Sequence, residues 1–118
     1  MKKEIEDYYK SWVHKNFQKG VRDAKVFLGN DTLVILGIDV LSFVELSILE
    51  DQYSRQVVCY TRKKIADKNF PVLKKNMELI LGRTVEAYYL DISVEKNMSC
   101  MTCILGKEGE KDEAIQEI

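Results

Sequence analysis

The sequence predicts an α+β domain in which a helix followed by a β-hairpin occurs twice, giving the order αββ-ααββ. Three observations predict it. The apolar spacing changes from the helical period to the strand period twice along the chain. Each β-rich stretch is divided by a short turn segment, and Gly20 to Leu28 is as long as Gly82 to Leu90, so the two halves keep the same spacing. Four strands then form one largely antiparallel sheet with the helices packed on one face.

From Glu4 to Phe17 the large apolar residues are Ile5, Tyr8, Tyr9, Trp12, Val13 and Phe17, the stripe of an amphipathic helix. Gly20 follows, where a left-handed C-cap is easiest for a residue without Cβ. Asp23–Leu28 and Thr32–Ile38 read as strands, joined by Gly29-Asn30-Asp31, a tripeptide suited to positive φ angles. The second run is apolar on both faces and is expected as a central strand. Ser42-Phe43-Val44-Glu45 has the form of a capping box, opening helix from about Ser42 to Lys68 along the stripe Leu46, Leu49, Tyr53, Val57, Tyr60 and Lys64, with a break near Asp51-Gln52. Pro71 is expected to end that helix or to kink it. Val72, Leu73, Met77, Ile80 and Leu81 continue an apolar stripe, and Gly82 is a second C-cap candidate. Thr84–Ser93 and Met98–Leu105 then form the second hairpin across Glu95-Lys96-Asn97. The domain is thus expected over residues 1–105, with a charged tail over 106–118.

The chain has 118 residues, 46% of them hydrophobic and 31% charged. One core suffices at this length, and the composition is that of a folded domain. Eighteen Lys and Arg against nineteen Asp and Glu leave a net charge of −1, so no global field draws in nucleic acid or anionic lipid. The N-terminus turns polar at once, and no apolar run approaches the roughly 18 residues that span a bilayer. A cytoplasmic protein is expected. Three cysteines without an export signal argue for reduced thiols.

Few constellations suggest chemistry. Cys100 and Cys103 have the spacing of a redox or zinc half-site, but three residues apart in a strand they point to opposite faces. The remaining ligand candidates, Cys59 and the lone His14, lie on distant helices, so structural thiols are the better reading. His14 sits at the edge of the first helix's stripe without a nucleophile beside it, as a surface residue would. Arg55, Arg62, Lys63, Lys64, Lys68, Lys74 and Lys75 make the middle helices basic, which a solvated helix face explains better than an anionic partner does. Asp91, inside the third strand, fits an edge residue, a hairpin hydrogen-bonder or an interface group equally well. No phosphate loop, carboxylate pair or nucleophile elbow is present. No catalytic, cofactor or metal residue is assigned.

Gly20, the Asn30-Asp31 turn, Leu41-Ser42-Phe43-Val44-Glu45, Arg62, and Gly82 through Asp91-Ile92 occur in the order and spacing of a family of small proteins named for the MpsC component of a sodium-translocating, membrane-potential-generating system. The chain resembles that family from about Ile5 to Leu105. Gln18 and Val21 stand where the family pattern has Gly and Pro, Ser42 replaces Thr, and Phe43 occupies a position that is often Pro. The resemblance implies a soluble, non-catalytic accessory protein that works with membrane-embedded cation or bicarbonate transport subunits. Such a domain is expected as a homodimer that presents a helix face or a sheet edge to a protein partner. The alternatives are a nucleic-acid-binding or regulatory module using the basic helices, and a small-molecule-binding domain with a pocket between helices and sheet.

Overall fold

The computed structural model describes residues 1–107, so most of the expected tail lies outside the described residues. The elements are α1 (Lys2–Phe17), β1 (Asp23–Leu28), β2 (Thr32–Ile38), α2 (Phe43–Leu46), α3 (Gln52–Leu81), β3 (Val85–Ser93) and β4 (Met98–Leu105). The strands form one antiparallel sheet in the order β1-β2-β4-β3, so each hairpin contributes one central and one edge strand. Pairing β2 with β4 joins the hairpins, with Ile35 opposite Met101 at the middle. This is the expected α+β architecture, with α1 and α3 packed on one face of the sheet.

Strand alternation fixes which residues enter the core. Leu33 and Ile35 of β2 and Met101 and Cys103 of β4 are buried, while their neighbours in each strand are half-exposed. From the helical layer, Ile5, Tyr9, Trp12 and Val13 of α1 and Ala66, Leu73, Met77 and Leu81 of α3 meet them in one cluster. Trp12 stacks on Tyr9 with centroids 6.0 Å apart and packs edge-on against Phe17. Its indole nitrogen donates to the Asn69 carbonyl at 3.3 Å, which ties α1 to α3.

Three local expectations are corrected. Of the two outcomes expected at Pro71, the first is overturned: the proline does not end the helix, because α3 is continuous from Gln52 to Leu81. Pro71 is exposed, so the carbonyl left without a helical donor faces water, and the helix is held on both sides of the proline by packing. Phe70 stacks on Tyr88 of β3 with centroids 3.7 Å apart, and Leu73 and Met77 are fully buried one and two turns later. The break near Asp51-Gln52 is real: the capping box of Ser42 and Glu45 opens only the single turn of α2, and Asp51 caps α3 afresh by accepting from the Ser54 amide at 2.7 Å.

The second correction concerns the end of α1. Gln18, not Gly20, takes the left-handed conformation, with φ 57°, and its amide donates to the His14 carbonyl. Phe17 is the last residue of the stripe and lies against Trp12 and Arg62, so the chain must turn immediately after it. Gly20 comes two residues too late. Third, Gly29, Asn30 and Asp31 all turn without a positive φ; among the described residues that conformation occurs at Gln18, Asp39, Gly82 and Asn97. The Gly29 amide closes the first hairpin by donating to the Thr32 carbonyl at 2.8 Å, and Asn97 carries the left-handed residue of the second. Gly82 caps α3 as expected, with φ 68°.

Candidate partner-binding surface

The long α3 reaches the sheet with only part of its length. Val58, Arg62, Ala66, Leu73, Met77 and Leu81 face inward, at the helical spacing of one stripe. In the first half of α3 the inward face meets a second, smaller apolar cluster of Val40, Leu41 and Val58, with Val21, Leu49 and Val94 partly buried against it. Arg62 holds this corner together. Its Nε donates to Glu45 Oε2 at 2.7 Å, and its Nη2 donates to Glu45 Oε1 and to the Val40 carbonyl, each at 2.7 Å. The guanidinium also lies 4.6 Å over the Phe17 ring.

The sequence singled out Arg62 as one of a run of basic residues, yet it is only 4% exposed and belongs to the interior. A fork-shaped cation matches a carboxylate bidentately, which is why Arg rather than Lys suits this place. Burial alone would push the Glu45 carboxyl up. The hydrogen bonds from Arg62 and from the Ser42 backbone outweigh it and hold Glu45 below its ordinary range. Beside this pair, the Asn97 side chain accepts from the Leu41 amide at 2.7 Å and donates to Asp39 at 3.0 Å. The chain entering α2 is thereby fixed from two sides.

What this fixed corner displays is apolar. Phe43 is 84% exposed, Tyr53 75% and Tyr60 65%, and Val44, Leu46, Ile48 and Val57 are exposed with them. Among the described residues, seven of the twelve large exposed hydrophobics fall between residues 43 and 60, so exposed apolar area is concentrated at this end of the fold. Tyr53, Val57 and Tyr60 share the outer face of α3, and exposed Lys64, Lys68 and Lys75 continue that face toward the C-terminus. The Lys64 ammonium lies 5.9 Å from the Tyr60 ring.

The other residues singled out from sequence are not brought together. Cys103 is buried against the helices and Cys100 stands on the opposite face of the sheet, so their sulfurs diverge as strand geometry requires. Burial pushes the Cys103 thiol up to about 11, which leaves it protonated and unreactive. The Cys59 thiol lies against the Ile92 carbonyl at 3.8 Å, and His14 is exposed on α1. Among the described residues no group of three or more His, Cys, Asp or Glu side chains is placed to hold a metal ion. The basic residues divide: Lys63 and Lys74 point away from Lys64, Lys68 and Lys75, with Lys63 paired to Asp91 at 3.8 Å and Lys74 to Glu78 at 3.0 Å. Asp91 lies on the edge strand β3 with its side chain 93% exposed.

A hollow of about 300 Å³ between α1 and α3 is lined by Tyr8, Trp12, Asn69 and Asn76 among others. Its polar groups already serve one another: Asn76 donates to the Tyr8 hydroxyl and the Val72 carbonyl, and Trp12 to Asn69. Tyr88, on the far side of α3, hydrogen-bonds Asp67; burial, then this carboxylate, raises its hydroxyl well above the usual tyrosine value.

Fold and surface together define a small α+β protein built of two helix-plus-hairpin units, with an exposed apolar helical corner. Residues 1–107 match the family model described as the Na+-translocating membrane potential-generating system (MpsC), and the chain belongs to that family. No curated protein and no solved structure matches it. No helix among the described residues is long and apolar enough to cross a membrane.

Proposed function

We propose that this chain is a non-catalytic accessory component of a membrane cation or bicarbonate transport system, and that residues 43–60 dock on a subunit of that system. The observation that carries the reading is the exposure of Phe43, Tyr53 and Tyr60 on a corner held rigid by the Arg62–Glu45 pair. Large aromatics are costly to leave in water and are typical anchors of protein interfaces. The family's description supports a membrane-associated partner. Charge supports it too: Lys64, Lys68 and Lys75, continuing the same helix face, suit the anionic headgroups that border a membrane-embedded subunit. Three lysines on one helix face are few for the phosphate contacts of a nucleic-acid site, and Lys63 and Lys74 are paired with carboxylates, so that alternative has less support.

The test is capture from detergent-solubilised membranes of the native cell by the tagged full chain, with the recovered proteins identified by mass spectrometry. Transport subunits are expected at near-stoichiometric yield. The triple variant Phe43→Ser, Tyr53→Ser, Tyr60→Ser should lower that yield by about tenfold or more, as removal of interface anchors does. Circular dichroism should be unchanged, because all three side chains are exposed. No transport subunit recovered, or equal recovery by the variant, would overturn the reading.

A further inference from the structure

The helices cover one face of the sheet. On the other stand Val34, Leu36 and Ile38 of β2 with Met98, Cys100 and Ile104 of β4, half-exposed, and nothing among the described residues packs on them. A solvated face of an antiparallel sheet ordinarily alternates to polar residues at such positions. Here the outward positions of both central strands are apolar except at Thr32 and Thr102. The strand register orders this face into rows. One row runs Lys25, Leu36, Cys100, Asp91 from edge to edge, and the next runs Phe27, Val34, Thr102, Tyr89. Each row is uncharged at its centre. The first has a cation at the β1 rim and an anion at the β3 rim; the second has an aromatic at each rim, Phe27 53% and Tyr89 63% exposed.

We propose that this face binds a second copy of the same chain, about a twofold axis parallel to the strands. The rows are what select the occupant. Such an axis lays β1 over the partner's β3 and β2 over the partner's β4, so within the same rows Lys25 meets the partner's Asp91 and Phe27 meets the partner's Tyr89, and each contact occurs twice. A twofold axis running across the strands along that row would instead set Lys25 against the partner's Lys25. Lys63 does not withdraw Asp91 from the face, since their pair at 3.8 Å leaves the carboxylate almost fully exposed. The rotation of roughly 30° between packed sheets moves the edge pairs by only about one residue, within reach of a lysine.

The size of the face also suits a reversible dimer. Four strands about 4.8 Å apart, each contributing about seven residues at ~3.3 Å, make a face of roughly 400–500 Å² on each copy. Two such faces bury on the order of 1,000 Å², the lower end of specific interfaces. The interaction uses the opposite side of the sheet from the helical layer, so it stands or falls separately from docking through residues 43–60.

Sedimentation velocity of the full chain from about 1 to about 300 μM should show a concentration-dependent dimer. Lys25→Glu and Asp91→Lys should each weaken it by about tenfold or more, by placing like charges face to face. Combining the two restores opposite charges and should return the dissociation constant to within about threefold of the wild type. Both positions are on the surface, so thermal midpoints should barely move. A chain that is monomeric throughout overturns the inference. So does a dimer indifferent to Lys25→Glu, which would be the result if two β3 edges paired instead.

Discussion

The described residues form two apolar clusters of very different size, and they are held by different means. The large one, between the sheet and the paired helices α1 and α3, contains sixteen buried residues, from Ile5 to Leu105, and is closed by packing. The small one, under α2, has only Val40, Leu41 and Val58 fully buried. So little area cannot hold a turn and a helix start by burial. The structure adds Arg62, the only buried charged side chain among the described residues, with Glu45, and it adds Asn97 with Asp39. Two residues of this corner, Asp39 and Asn97, also accept left-handed backbone conformations, with φ 61° and 53°. Where apolar area is scarce, directional polar bonds fix the geometry, and the corner they fix is the one that displays the exposed aromatics.

Three substitutions would break or sharpen this contrast. The largest effect is expected in the large cluster: Met77→Ala, at a position with no exposure, should cost about 2–5 kcal/mol in urea unfolding, through lost burial and the cavity left behind. In the small cluster, Arg62→Met keeps most of the stem's volume but removes the donor to the Val40 carbonyl and leaves Glu45 with the Ser42 amide in place of the guanidinium fork. Its expected cost is about 1–3 kcal/mol, moderated because Glu45 retains some contact with water. It should also change the pH dependence. Since the folded Glu45 carboxyl is held below its ordinary value of 4.5, its contribution is complete above that value and fades as pH falls through it toward the folded value. The wild type should therefore lose this increment on acidification, and Arg62→Met should show a flatter acid limb in the same titration. The smallest effect is expected at Gln18→Gly. Relief of a left-handed side-chain residue, set against the greater freedom of glycine in the unfolded chain, should raise stability by about 0.5 kcal/mol.

The contrast also explains how much could be read in advance. Three of the four strands keep the residue bounds expected of them, and the fourth starts one residue later, because alternation and turn segments are local signals. The Ser42–Glu45 capping box and the Gly82 cap were equally legible, each formed by atoms a few residues apart. Arg62 was not. Lys63 and Lys64 follow it, and its partners, Glu45 and Val40, lie seventeen and twenty-two residues away. The corner with exposed Phe43, Tyr53 and Tyr60 was missed for a related reason: apolar spacing marks a stripe but does not say whether anything covers it. Phe43 next to a serine cap, outside any stripe, was the one available signal.

By itself the sequence determined the element order, the strand bounds, the central place of β2 and the divergence of Cys100 from Cys103. All of these follow from spacing along a few residues of backbone. Only the tertiary structure decided that α3 runs unbroken through Pro71, that Gln18 rather than Gly20 turns the chain, and that Arg62 is interior. In each case a contact distant in sequence, Phe70 on Tyr88, Phe17 on Arg62 or Arg62 on Glu45, outweighs a local preference of about 1–3 kcal/mol.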